Sequence, residues 1–257
     1  MKKILLPTIL ALSLSQLSCV SGEEPAFGAG EEIEPSDTGV VYRQNFTLLF
    51  SNFALTAFDP DDYSFKESST DINIFIADRA GAPIEGRTVN IRADWGIASP
   101  SCTTDSSGKC TVTWTTADPN DSFPNYLSDT YCVRIVAYTT GEEAFHDENG
   151  NGVLDTTDEV SALGNAGNFT NGFFDMSEPF FDRDNDNTFT AGYDGPINTN
   201  PAGIAGFDAG DGEFNGTNCT SSFCSANTTT VIWNESYIDL KDETNADPAA
   251  ASNTCAP

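Results

Sequence analysis

The chain has 257 residues and a formal net charge of −28, from 39 acidic against 11 basic residues. A surface of that sign repels phosphate backbones and anionic headgroups, so nucleic acid is excluded as a partner and a membrane is reachable only through an anchor. Residues 141–257 hold 21 Asp and Glu against two basic residues, Arg183 and Lys241, and a folded segment with that self-repulsion calls for a counter-cation.

At the N-terminus, Lys2 and Lys3 precede an apolar run over residues 4–17, interrupted by Pro7, Ser13, Ser15 and Gln16. That run falls short of the roughly 20 apolar residues a spanning helix needs, and it predicts a signal peptide over residues 1–18. The junction Gln16-Leu17-Ser18-Cys19 resembles a bacterial lipobox, with Gln16 standing where that pattern usually has Leu. The resemblance implies that Cys19 becomes a lipidated N-terminus. Val20, in place of Asp, resembles the signal that sorts such proteins to the outer membrane. The expected location is therefore exported: an outer-membrane lipoprotein, periplasmic or surface-exposed. Ordinary cleavage after a small residue is the alternative. Residues 19–42 are rich in Gly, Glu, Pro and Ser and read as a flexible tether.

Residues 43–140 alternate apolar and polar side chains, the pattern of strands packed on one face. Ile72, Ile74 and Ile76 form one set; Val89, Ile91, Ala93 and Trp95 a second; Cys110, Val112 and Trp114 a third; Tyr131, Val133, Ile135 and Ala137 a fourth. Turn clusters at residues 78–83, 104–108 and 117–121 separate them. Trp95 and Trp114 fall in register with the apolar sets and read as core rather than as a sugar-binding surface. The fold class is all-β, a sandwich of about 100 residues.

Two hairpin signatures carry a resemblance. Asp78, Gly81, Pro83, Ile84, Gly86 and Val89 form the first, and Thr104, Asp105, Gly108, Cys110 and Val112 the second. In this order they resemble the bacterial Ig-like domain of the invasin/intimin type, with Ala82 where Asn is common. The resemblance implies an immunoglobulin-like sandwich and a spacer or adhesive role at the cell surface; it implies no activity.

The acidic stretch, residues 141–227, reads as a loop-rich insertion before the last strand. Its strongest motif spans residues 147–158. Ca²⁺ takes six to eight oxygens, and a tight loop supplies them from alternating short polar side chains with a glycine at the bend. Counted as in an EF-hand, Asp147, Asn149 and Asn151 take the first, third and fifth places, Gly152 the bend, Val153 the carbonyl place, Asp155 the ninth and Asp158 the twelfth. Leu154 is the apolar anchor. A second copy offers Asp182, Asp184 and Asp186, with Asn187 at the bend and Thr190 ninth; Tyr193 falls twelfth and Asp194 one later. A third, shorter phrase offers Asp208 and Asp211, with Gly212 and Glu213. The expected cofactor is Ca²⁺. The series also resembles an Asp/Gly-rich insertion of some Ig-like lipoproteins. Solvated turns are the bland alternative.

Apolar alternation returns at residues 228–240, read as the final strand of the same sandwich, with an independent C-terminal hairpin as the alternative. Residues 241–257 read as a tail. Besides Cys19, six cysteines remain, an even number that points to disulfides in an exported chain. Local spacing favours Cys102–Cys110 and Cys219–Cys224, leaving Cys132–Cys255. The expected function is a non-enzymatic surface module, a spacer, adhesion or assembly component stabilised by calcium, with an unidentified protein or glycan partner. The competing expectations are a calcium-dependent glycan- or ligand-binding module and, behind it, a carboxylate-based hydrolase. The single histidine, His146, has no nucleophile motif beside it.

Overall fold

The computed structural model describes residues 38–59, 61, 66–117, 131–158, 169–183, 186, 188–192, 194–197 and 210–242. After a short 3₁₀ turn (Arg43–Asn45) the strands are β1 (Phe46–Phe50), β2 (Ala54–Phe58), β3 (Ser69–Ile76), β4 (Thr88–Ala93), β5 (Ile97–Ala98), β6 (Ser101–Thr103), β7 (Lys109–Thr115) and β8 (Cys132–Gly141). Four two-residue strands follow: β9 (Phe169–Thr170), β10 (Phe173–Phe174), β11 (Phe180–Phe181) and β12 (Gly195–Pro196). The last strand, β13, runs Thr230–Asp242.

Two large sheets form from these strands, beside the two-stranded pairs β9–β10 and β11–β12. The first has the order β1-β3-β7-β5 and the second β2-β13-β8-β4-β6. All pairs within them are antiparallel except β2 with β13, which run parallel. The inward residues of both sheets close on one core. Ile72, Ile74, Val112 and Trp114 come from the first; Val89, Ile91, Val133, Ile135, Ile232, Ile238 and Leu240 from the second. The alternation in β3 and β7 places every second residue in that core, which is why the pattern was legible in advance. Trp95 and Trp114 are both buried in it, ring centroids 6.0 Å apart, and the Trp114 indole N–H donates to the Trp95 carbonyl at 2.9 Å.

Strands β1 and β2 were not singled out by the alternation. Together they occupy residues 46–58, one strand at the edge of each sheet, with the chain crossing between sheets at residues 51–53. Packed residues are already present before the expected boundary at residue 42. Val41 is fully buried, Tyr42 is nearly so, and the Thr38 N–H donates to Asp78 at 2.9 Å. At the other end β13 carries on to Asp242. The rest of the predicted tether, the signal segment with Cys19, and residues 243–257 with Cys255 lie outside the described residues.

Cys102 and Cys110 are bonded, as are Cys219 and Cys224. The first bond does more than staple a hairpin. Cys102 is on β6 of the second sheet and Cys110 on β7 of the first, so the bond ties the two layers together. The turn between them needs Gly108, at φ +71°, where a Cβ would collide with the Ile76 carbonyl oxygen. Cys132 is disulfide-bonded as well; the expected Cys132–Cys255 pairing reaches outside the described residues.

β13 pairs with β8 in unbroken register, from Thr230 opposite Gly141 to Asp239 opposite Cys132. The acidic stretch therefore leaves one strand of the sheet and returns on its neighbour. β8 departs from simple alternation, since nearly all of its residues are buried. Its outward side chains lie under the insertion, as do those of β13: the Trp233 indole donates to the Ser177 carbonyl at 2.9 Å, and Phe180 meets its ring edge-on at 5.3 Å.

Candidate functional site

The insertion has a small core of its own. Phe145, Leu154, Phe173 and Phe214 are buried together, with Cys219 and Phe223 packed against them. Phe214 takes Phe145 and Phe173 edge-on at 5.5 and 5.8 Å. Backbone bridges join Leu154 to Cys219 and Phe214 to Cys224, so the Cys219–Cys224 bond clamps one side of this core. An acidic segment of this length would otherwise stay unfolded by self-repulsion; its phenylalanines supply the apolar burial that offsets this.

The first loop is built around Asp147. Its Oδ1 accepts the Asn151 N–H at 3.1 Å and its Oδ2 the Gly152 N–H at 2.7 Å. Asn149 Oδ1 accepts the Asn151 N–H and Asn151 Oδ1 accepts the Val153 N–H, each two residues on. The side-chain amides of Asn149 and Asn151 both donate to Asp155 Oδ2, at 3.2 and 2.9 Å. The Thr157 N–H and those amides hold the Asp155 carboxyl below its ordinary range. Gly152 sits at φ +70°, the bend the motif requires. Asp158, fully buried, closes the loop: its Oδ1 accepts the Glu148 N–H and its Oδ2 the Asp155 N–H.

The second loop repeats this closure with a different residue. Asp194 Oδ1 accepts the Arg183 N–H and its Oδ2 the Thr190 N–H, both at 2.7 Å. Arg183 and Thr190 are the second and ninth residues of this loop, as Glu148 and Asp155 are of the first. The backbone agrees, with Asp158 N–H donating to the Asp155 carbonyl and Asp194 N–H to that of Thr190. Asp182 Oδ1 accepts the Asp186 N–H, and Asp186 Oδ1 the Thr188 N–H, matching Asp147 and Asn151. One extra residue thus moves the closing carboxylate from the twelfth place to the thirteenth. Asp184, Asn187 and Tyr193 lie outside the described residues.

The third phrase gathers groups that its own sequence did not announce. Asp211 Oδ1 accepts the Glu213 N–H, and its carboxylate holds the Asn215 amide. Asp175, from between β10 and β11, accepts the Gly212 N–H at 3.0 Å. Glu143 accepts the N–H of Met176 at 2.6 Å and of Asn215 at 2.8 Å. Burial, reinforced by repulsion from Asp175 and Asp211, pushes the Glu143 carboxyl up to about 8. Asp208 lies outside the described residues.

Arg79 and Glu142 join the first loop to the sheets, and neither stood out in the sequence. Arg79 leaves the β3–β4 connection and donates to the Gly152 carbonyl at 2.9 Å, the Thr217 carbonyl at 3.1 Å and Glu142 Oε2 at 2.9 Å. Its guanidinium stacks on Tyr42 and Phe145, 5.3 and 4.8 Å from the ring centroids. The second loop is joined by charge. Asp94, Arg134 and Glu235 project from the outer side of the second sheet. Burial pushes Asp94 up to about 7 and Glu235 up to about 8; nearby arginines oppose the shift, and Asp182 adds to it for Glu235.

The donors in the first two loops are carboxylate, amide and carbonyl oxygens, the set that suits a hard cation such as Ca²⁺ and not Zn²⁺. Among the described residues, no group of three or more His, Cys, Asp or Glu side chains converges as a metal cage. His146 is half-buried and pairs with Glu148 at 2.8 Å. Comparison with protein families, with curated proteins and with solved structures returns no match.

Proposed function

We propose that this chain is a non-enzymatic, calcium-stabilised immunoglobulin-like module of the bacterial cell surface, exported and held by a lipid on Cys19, and acting as a spacer, adhesion or assembly component. The immunoglobulin-like reading rests on strand order. Naming β1, β3, β4, β5, β7, β8 and β13 as A, B, C, D, E, F and G gives A-B-E-D opposite G-F-C, the two sheets of that fold, with β2 as a split first strand and β6 extending the second sheet. The buried core tryptophans, the layer-spanning disulfide and the two hairpin signatures agree with it.

The observation that carries the calcium reading is the repeated closure by Asp158 and Asp194. Two segments of unequal length, each opening on an alternating Asp/Asn phrase, adopt one hydrogen-bond pattern of closure. Ca²⁺ entering either loop converts carboxylate repulsion into coordination. Binding to the folded chain alone stabilises it by about 2.7 kcal/mol at a hundredfold excess over Kd.

Titration calorimetry and melting with and without chelator test this. The expected result is Ca²⁺ binding lost stepwise in Asp158→Ala and Asp194→Ala, with a chelator-induced fall in Tm. Absence of heat on titration, with melting unchanged by chelator, removes the calcium reading and leaves the loops as hydrogen-bonded turns.

A further inference from the structure

The outer face of the first sheet differs from the rest of the molecule in charge. Residues 44–58, which include edge strand β1, carry no charged side chain in a chain of net charge −28. Across the outer face of β1, β3, β5 and β7 only Asp71 and Lys109 are charged, one of each sign. The large apolar residues that stand exposed among the described residues gather here: Leu49 at 52 %, Phe75 at 37 % and Ile97 at 61 %, with Phe53 at 60 % in the turn that leaves β1. The face is otherwise a ladder of threonine and asparagine whose polar groups bond one another. Thr113 donates to Asp71 at 2.8 Å and Thr111 to Asn73 at 3.0 Å. Covering such a face strands few donors or acceptors. β1 also lacks the lysine or proline with which exposed edge strands are usually protected.

We propose that this face binds a second copy of the chain, face to face about a two-fold axis. Charge selects that occupant. Two copies repel wherever the acidic insertion or the tether faces its counterpart, and the neutral sheet is the surface on which they approach without that penalty. The face is also self-complementary: β3 places Asp71 and Phe75 four residues apart, and Lys109 pairs with Phe75 across to β7, so a two-fold axis lying across the strands at Asn73 sets Asp71 of one copy toward Lys109 of the other. Four strands about 4.8 Å apart, with rows of about seven residues at roughly 3.3 Å, make a small footprint, so the dimer is weak in solution. Anchoring both copies on one membrane raises their effective concentration. The inference stands apart from the calcium reading, because no residue of the acidic loops takes part.

Sedimentation equilibrium of the whole chain with Cys19→Ser, so that no lipid is present, tests it. The expected result is a reversible monomer–dimer equilibrium whose association constant rises about tenfold between roughly 0.05 and 0.5 M NaCl, because salt screens the repulsion between the acidic regions. Leu49→Asp with Phe75→Asp abolishes the dimer while leaving the melting curve cooperative. Asp71→Lys alone weakens it, and Asp71→Lys with Lys109→Asp restores it. A monomer at about 1 mM protein in roughly 0.5 M NaCl overturns the proposal, because the dissociation constant then lies above about 1 mM, too weak for a specific dimer. So does a dimer indifferent to Leu49 and Phe75, a double exchange that fails to restore association, or a different protein captured on this face while the chain itself stays monomeric.

Discussion

Arg79 is held with its side chain 7 % exposed, and its partner Glu142 is fully buried. A buried pair of this kind contributes little net stability when intact, since desolvation offsets attraction, but breaking it leaves a charge stranded. Arg79→Met is therefore expected to cost about 3–5 kcal/mol in denaturant unfolding. Glu142→Gln in the same chain should recover part of that loss, and a cost from Arg79→Met alone under about 1 kcal/mol would remove Arg79 as the join between loop and sheet. Arg79→Lys keeps the charge but cannot donate to Gly152, Glu142 and Thr217 together, so it should fall between the two.

Among elements, the small core of the insertion decides whether the first loop is held. Leu154 lies inside the loop and is fully buried against Phe145 and Phe214. Leu154→Ala should cost about 2–5 kcal/mol and leave the loop open to proteolysis, while the two-sheet core, tied by Cys102–Cys110, resists cleavage. Limited proteolysis mapped by mass spectrometry separates the outcomes: simultaneous cleavage of both regions would mean that they unfold as one unit. The same coupling runs through β8. Its inward residues belong to the common core, and its neighbours at the C-terminal end, Glu142 and Glu143, face the first loop and the third phrase.

At the scale of the molecule, three buried carboxyls among the described residues are displaced upward: Asp94 to about 7, Glu143 and Glu235 each to about 8. In the unfolded chain these groups release their protons near pH 4, whereas the fold retains them. Their contribution to stability is therefore complete below about pH 4 and is lost as pH rises toward 8. In chelator, the chain should melt at higher temperature at about pH 5 than at about pH 8, a difference on the order of a few kcal/mol. Asp94→Asn should flatten that profile, and a melting temperature that rises from about pH 5 to 8 in chelator would contradict the assignment.

Alternation in the β3, β4, β7 and β8 sequences was enough to identify an all-β chain and its core tryptophans, because side-chain direction in a strand is set locally with a period of two. The phrases at Asp147 and Asp182 were legible for a similar reason: Asx side chains bond backbone only two to five residues away. Edge strands β1 and β2 were not legible, since an interrupted stretch of apolar residues has no local mark for changing sheets. Neither were Arg79, Glu142, Glu143 and Asp175, whose partners lie far off in sequence. Nor could spacing decide that Asp194 closes the second loop, because one inserted residue changes the count without changing which N–H groups the carboxylate reaches. The chain by itself determined local direction, local turns and net charge. The tertiary structure decided which layer each strand joins, which carboxylates are buried together and which face is left neutral, because those depend on pairings between residues far apart in sequence.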